Sequence, residues 1–250
     1  VSVGASASSG LQVSFTTSTP AVCTSAGVNG SSITLLGPGT CTVIADQAGT
    51  ATWAPAVPVS RSFAVSKATQ AITFAAQSAK SITQSPVAVT ATASSGLPVT
   101  FTTTTPAVCA ATGPDGSSIV LLDAGTCRVQ ADQPGTAAYN AAPSVSRNFT
   151  VSKLANTITF PGISGKTLAQ TPVIAAATSS SGLPVTFTTS TPAVCTVSGG
   201  TVDLVAAGTC SVRADQAGDG VYAAANPVTR NFAVSKVAQA ITFAAIGTRN

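Results

Sequence analysis

The chain has 250 residues, of which only 7% are charged, against about 25% in an ordinary soluble domain, and it contains no Glu, His or Met. Hydrophobic residues make up 44%, which sets it apart from disordered chains, and no apolar run approaches the roughly 18 residues of a membrane-spanning helix. The net charge of +4 is spread over 11 basic residues without a cluster, so a nucleic-acid partner is not expected. Acid–base chemistry would fall to seven Asp, five Lys or a Tyr, so neither an enzyme nor a cofactor is expected.

Three copies of one unit fill the sequence. Cys23, Cys109 and Cys195 are spaced 86 and 86 residues apart, and Cys41, Cys127 and Cys210 are spaced 86 and 83. The stretch Ser94-Ser95-Gly96-Leu97-Pro98-Val99-Thr100-Phe101-Thr102-Thr103 recurs letter for letter at 180–189. The first copy carries it with two changes at 8–17. A period of this size marks a domain array, which works through length and multiplicity more often than through one active site.

The second copy is complete and gives the elements in chain order. Residues 71–74 form a short β run, and 87–93 alternate with Val87, Val89 and Ala91 on one face. A turn at 94–98 leads to a strand at 99–102 with Val99 and Phe101 inward, ended by Thr105-Pro106. Strands at 108–110, 118–122, 126–131 and 145–151 complete the unit, separated by Gly-rich turns at 113–116 and 123–125. Seven short strands without a helical period predict an all-β fold of three tandem antiparallel β-sandwiches. The expected boundaries are 1–68, 69–154 and 155–237, with 238–250 as an extra first strand. The joins at 65–70, 151–156 and 234–239 lack Gly and Pro, which predicts a stiff, extended rod.

The cysteines recur by position, so pairing within each repeat predicts three disulfides: Cys23–Cys41, Cys109–Cys127 and Cys195–Cys210. That implies an oxidising compartment, hence export to the cell surface or beyond. Reduced buried thiols are the alternative; zinc is disfavoured by two thiols per repeat and no His. Copy three is three residues shorter between its cysteines, at Ser198-Gly199-Gly200, so the pair flanks a length-tolerant hairpin. A spacing of 15 or 18 is shorter than that of an antibody inter-sheet bridge, so a staple between neighbouring strands is expected.

Charged and aromatic residues recur as well. Asp46, Asp132 and Asp215 sit in an Ala-Asp-Gln step, and Arg61, Arg147 and Arg230 in the last strand. An Asp–Arg ion pair in each copy is one expectation, and solvated edge charges the other. One recurring Asp per copy is too few for calcium. Trp53, Tyr139 and Tyr222 share one position, where a packing role outweighs a sugar-stacking one. Thr-Pro steps at 19–20, 105–106 and 191–192 offer hydroxyls either to strand ends or to O-glycans.

The steps Gln70-Ala71-Ile72-Thr73-Phe74, Thr105-Pro106-Ala107-Val108-Cys109, Ala124-Gly125-Thr126-Cys127 and Ala131-Asp132-Gln133-Pro134-Gly135 resemble bacterial immunoglobulin-like tandem repeats of secreted and surface proteins. The resemblance covers essentially the whole chain and implies adhesin stalks, fibre components or spacers of exported enzymes. It supplies no catalytic residues. Val1 aligns with Val87, so the segment at 70–86 has no counterpart in copy one, while 239–250 repeats that segment after copy three. Two expectations follow: a window cut from a longer array, or a tail strand (Ala240, Ile241, Thr242, Phe243) donated to the next molecule. The expected role is a structural subunit of an extracellular fibre, joined to copies of itself, with surface glycans or other matrix components as further partners. An adhesin stalk and a carbohydrate-binding spacer are the alternatives.

Overall fold

The computed structural model describes residues 1–247; the last three residues of the 238–250 segment lie outside it. Two compact units partition the chain. One comprises Val1–Gln77, Pro86–Val120 and Cys127–Phe149; the other comprises Ser78–Ser85, Leu121–Thr126 and the chain from Thr150 onward. Copy one lies wholly in the first unit and copy three wholly in the second, and the division runs through copy two.

Copy three shows the complete design. Its larger sheet has the order Lys166–Thr167, Val228–Ser235, Gly208–Asp215, Thr186–Thr189. Its smaller sheet has the order Val173–Ile174, Thr201–Leu204, Cys195–Ser198, and Ile158–Thr159 pairs with Thr178–Ser179. Alternation decides which side chains enter the core. Along Gly208–Asp215, Cys210, Val212 and Ala214 are buried, whereas Arg213 points to solvent. Opposite them stand Phe232 and Val234, also buried, with Cys210 paired to Phe232 across the strands. Phe160, Val173, Val202 and Leu204 complete the same apolar cluster. Two antiparallel layers around one core, with the first strand split between them, make this an immunoglobulin-like sandwich.

The first strand of copies two and three has two parts. Ile158–Thr159 pairs antiparallel with Thr178–Ser179, and Lys166–Thr167 then pairs in parallel with the end of the last strand, through Val234 and Ser235. Copy two repeats the arrangement: Ile72–Phe74 pairs with Ala91–Ala93, and Lys80–Ser81 runs parallel to Val151 and Ser152. The second part escapes the sequence pattern because it is two residues long. Its trace is the Ser81-x-x-Gln84 step, a capping box for the single turn Ile82–Gln84: the Ser81 N–H donates to the Gln84 side chain at 2.8 Å. The strand expected over 87–93 divides for a similar reason. Val87–Ala88 pairs with Ser118 and Ile119, whereas Ala91–Ala93 serves the first strand.

The structure joins Cys23 to Cys41, Cys109 to Cys127 and Cys195 to Cys210, each with a Cα separation of 5.7 Å. All six cysteines are fully buried. Their placement corrects one expectation. Cys195 lies on the smaller sheet and Cys210 on the larger, as do Cys23 and Cys41 in copy one, so the bridge spans the two layers. A short spacing suffices because only one hairpin strand, Thr201–Leu204, lies between the two cysteines before the chain crosses over.

Copy one has the same central elements. Ser14–Thr17, Gly39–Asp46 and Val59–Val65 form one sheet, and Cys23–Ala26 pairs with Ser32–Leu35. Phe15, Cys23, Ile33, Cys41 and Val43 form its core. Among the described residues nothing occupies the place of Ile72–Phe74 beside Ala5–Ala7.

Candidate strand-docking groove

The gap leaves an open groove of about 550 Å³ along copy one, lined among others by Ala5, Ala7, Phe15, Ala45, Arg61 and Phe63. Copy two shows what fills the same space there. Ile72 and Phe74 are buried, and the ring of Phe74 meets Phe101 edge-on with centroids 5.5 Å apart. In copy three Phe160 meets Phe187 in the same way, also at 5.5 Å. Filling the groove decides how dry the core becomes. Phe149 and Phe232 are each 4% exposed, but Phe63 at the same position is only half-buried. Ala131 and Ala214 are fully buried, and Ala45 is not.

Arginine marks the end of the groove. The Arg147 Nε–H donates to the Phe74 carbonyl at 2.8 Å, and that of Arg230 to the Phe160 carbonyl at 2.7 Å. Both side chains are half-buried, whereas Arg61 is exposed and, among the described residues, bonds only the neighbouring Ser60 carbonyl at 3.4 Å. The expected Asp–Arg pairs do not form. Asp46 and Arg61, Asp132 and Arg147, and Asp215 and Arg230 are absent from the ion pairs of the described residues, which are Lys153–Asp123 and Arg213–Asp215. Strand register explains this. Arg61 stands opposite Val43 and Arg230 opposite Val212, on the inward face; Asp46 and Asp215 lie three residues further along, on the other face. Asp132 instead accepts from the side chains of Gln130 and Ser144.

A loop beside the groove receives the join between repeats. In copy two the Gln70 amide donates to Gln133 Oε1 and to the Asn140 carbonyl, and accepts from the Ser95 hydroxyl. The Ala68 N–H donates to the Ala138 carbonyl at 2.8 Å, and the Asn140 N–H returns a bond to the Ala68 carbonyl at 2.9 Å. Copy three does the same with Leu154, Val221 and Ala223, and with Asn156 against Gln216. Sequence reasoning missed this role of the Gln-x-Gly loop, although the recurrence of Gln47, Gln133 and Gln216 was visible. Tyr139 and Tyr222 are half-buried at this junction; Trp53 remains 51% exposed. The hydroxyls of Thr19, Thr105 and Thr191 accept backbone N–H bonds at 3.0 Å from Thr42, Arg128 and Ser211.

The tail carries the matching ligand. Gln239-Ala240-Ile241-Thr242-Phe243-Ala244-Ala245 repeats residues 70–76 without a change. Ile241 is 95% and Phe243 79% exposed. Among the described residues no group of three or more Cys and Asp is placed to hold a metal ion, and no helix is long and apolar enough to cross a membrane.

No family model and no curated protein matches this chain. Solved structures similar to it include the extracellular repeats EC1-3 of Drosophila N-cadherin, at 11% identity and TM-score 0.34, covering 95% of this chain and 92% of that one. Mouse protocadherin-24 EC1-3 is similar at 12% identity and TM-score 0.37, with the same coverages of 95% and 92%. Domains 1-6 of the surface layer protein SbsC are similar at 16% identity and TM-score 0.28, covering 93% of this chain and 36% of that one.

Proposed function

We propose that this chain is a structural, non-enzymatic unit of an extracellular bacterial fibre, extended head to tail by strand donation. Residues Ala240, Ile241, Thr242 and Phe243 of one copy enter the groove on the first repeat of the next. Ile241 takes the place that Ile72 takes in copy two, and Phe243 packs on Phe15 as Phe74 packs on Phe101. One observation carries the reading: the exposed tail has the same sequence as the segment that fills the equivalent groove in copy two. Burying two large apolar side chains contributes about 1.5–3 kcal/mol each, and main-chain bonds fix the register. A head-to-tail contact of this kind does not close on itself and generates filaments. Export fits three buried disulfides, which persist in oxidising surroundings.

The test is Phe243→Asp in the full chain, followed by sedimentation and electron microscopy. Unaltered protein is expected to form longer species as concentration rises, and the variant to stay monomeric. Equal assembly of both would overturn the proposal.

A further inference from the structure

We infer that the docking site on copy one has a second half, the loop Gln47–Ala56, which takes the linker residues Val237, Ala238 and Gln239 of a second copy. This rests on the strand-donation reading above and adds to it the part of the donor that confers tightness and selectivity.

The loop is already built to receive a linker. Thr50 N–H donates to the Trp53 carbonyl at 2.8 Å and Ala56 N–H to the Gln47 carbonyl at 3.0 Å, matching Thr136 to Tyr139 and Ala142 to Gln133 in copy two. Gly49 holds the turn with φ of 74°, where an added Cβ would collide with the Trp53 carbonyl. The groups that bond the linker in copies two and three, here the Thr52 carbonyl and the Ala54 N–H, have no backbone partner among the described residues. Gln47 is half-buried, whereas Gln133 and Gln216, each covered by a linker amide, are 5% and 7% exposed. Val237, at the position of Ala68 and Leu154, is 57% exposed.

Superposing the repeat pattern assigns each contact. The Val237 N–H bonds the Thr52 carbonyl, and its carbonyl accepts from the Ala54 N–H. The Gln239 amide meets Gln47 Oε1, the Ala54 carbonyl and the Ser9 hydroxyl, as Gln70 meets Gln133, Asn140 and Ser95. Trp53, at the position of the half-buried Tyr139 that stands opposite Ala68 in copy two, then lies beside the linker. The side chain at the head of the segment also discriminates. Copy one has Ala7-Ser8-Ser9 where copy two has Ala93-Ser94-Ser95, whereas copy three has Ser179 at the first position and an Asn156 head. Copy one therefore matches the Gln-headed tail.

The experiment uses the full chain carrying Phe243→Asp as acceptor, titrated with synthetic peptides 235–247 and 240–247, read by calorimetry and by fluorescence of the single tryptophan, Trp53. The longer peptide is expected to bind at least about tenfold tighter and to shift Trp53 emission to the blue, since it adds two backbone bonds and an amide network to the contact. Gln239→Ala in the longer peptide is expected to remove much of that difference. Equal affinities with unmoved emission would overturn the linker contact and leave strand donation standing. Binding of neither peptide would overturn both.

Discussion

Arg147 reaches across its repeat to the Phe74 carbonyl at 2.8 Å, so the last strand holds the end of the first through a charged side chain and a main-chain oxygen. The bond recurs between Arg230 and Phe160 at 2.7 Å. Arg147→Ala is expected to lower the stability of copy two by about 1 kcal/mol, the loss being moderated by partial exposure. Hydrogen exchange at Ile72–Phe74 should quicken while copy three is unchanged. Arg61→Ala should leave the melting of the isolated chain almost unaltered, within about 0.5 kcal/mol, yet weaken assembly.

The three disulfides should resist reductant until the fold opens, because every sulfur lies in a core. Replacing Cys23 and Cys41 by Ala is expected to cost copy one about 3 kcal/mol for a closed loop of this length. Copy one should also be the first to label when thiol reagents and reductant are added together, since Phe63 and Ala45 leave its core less covered. Mass spectrometry of the labelled peptides gives the order; earlier labelling of copy two or three would contradict it.

Gly135 adopts φ of 81°, and a Cβ there would lie 2.5 Å from the Tyr139 carbonyl. Gly135→Ala is therefore expected to destabilise the loop by more than about 1 kcal/mol and to expose the Ala68 bonds to exchange. Gly162→Ala, with open space around it, should be close to neutral in the same measurement.

In copy three Asp219 replaces the threonine that organises the other two loops. It accepts from the Tyr222 and Val221 N–H groups at 2.7 and 2.8 Å, and these bonds hold its carboxyl below the usual aspartate range. A depressed value in the fold means the contribution is full above the unfolded value, about 4, and is lost as the pH falls through the folded value. Below pH 4 the 216–225 loop and the bonds to Leu154 should loosen. The loops built on Thr50 and Thr136 should not. Asp219→Thr should abolish the difference, measured by exchange at Leu154 and Ala223.

Most of the fold was legible because burial in a sandwich imposes a period of two. Phe101, Cys127, Val129 and Phe149 all sit where alternation places them. Pieces of two residues, such as Lys80–Ser81, are too short to show a period, and only the Ser81–Gln84 cap betrays them. The Asp–Arg expectation failed on parity: recurrence says that residues matter, but an odd offset from the paired position sends them to opposite faces. The groove was implied by aligning the repeats, whereas the linker's reception by the Gln-x-Gly loop rests on contacts between residues 63 apart, Gln70 and Gln133, which no local pattern encodes.

The parallel pairing of Lys166–Thr167 with Val234 and Ser235, and of Lys80–Ser81 with Val151 and Ser152, bears on tension. A pull on the two ends of a repeat loads those bonds side by side in shear, so they must break together rather than one after another. Should they yield, the cross-layer bridge Cys195–Cys210 withholds the enclosed residues from extension. The travel of an opened repeat is shorter by those residues, while the rest of its chain is free to extend before the load passes to its neighbour.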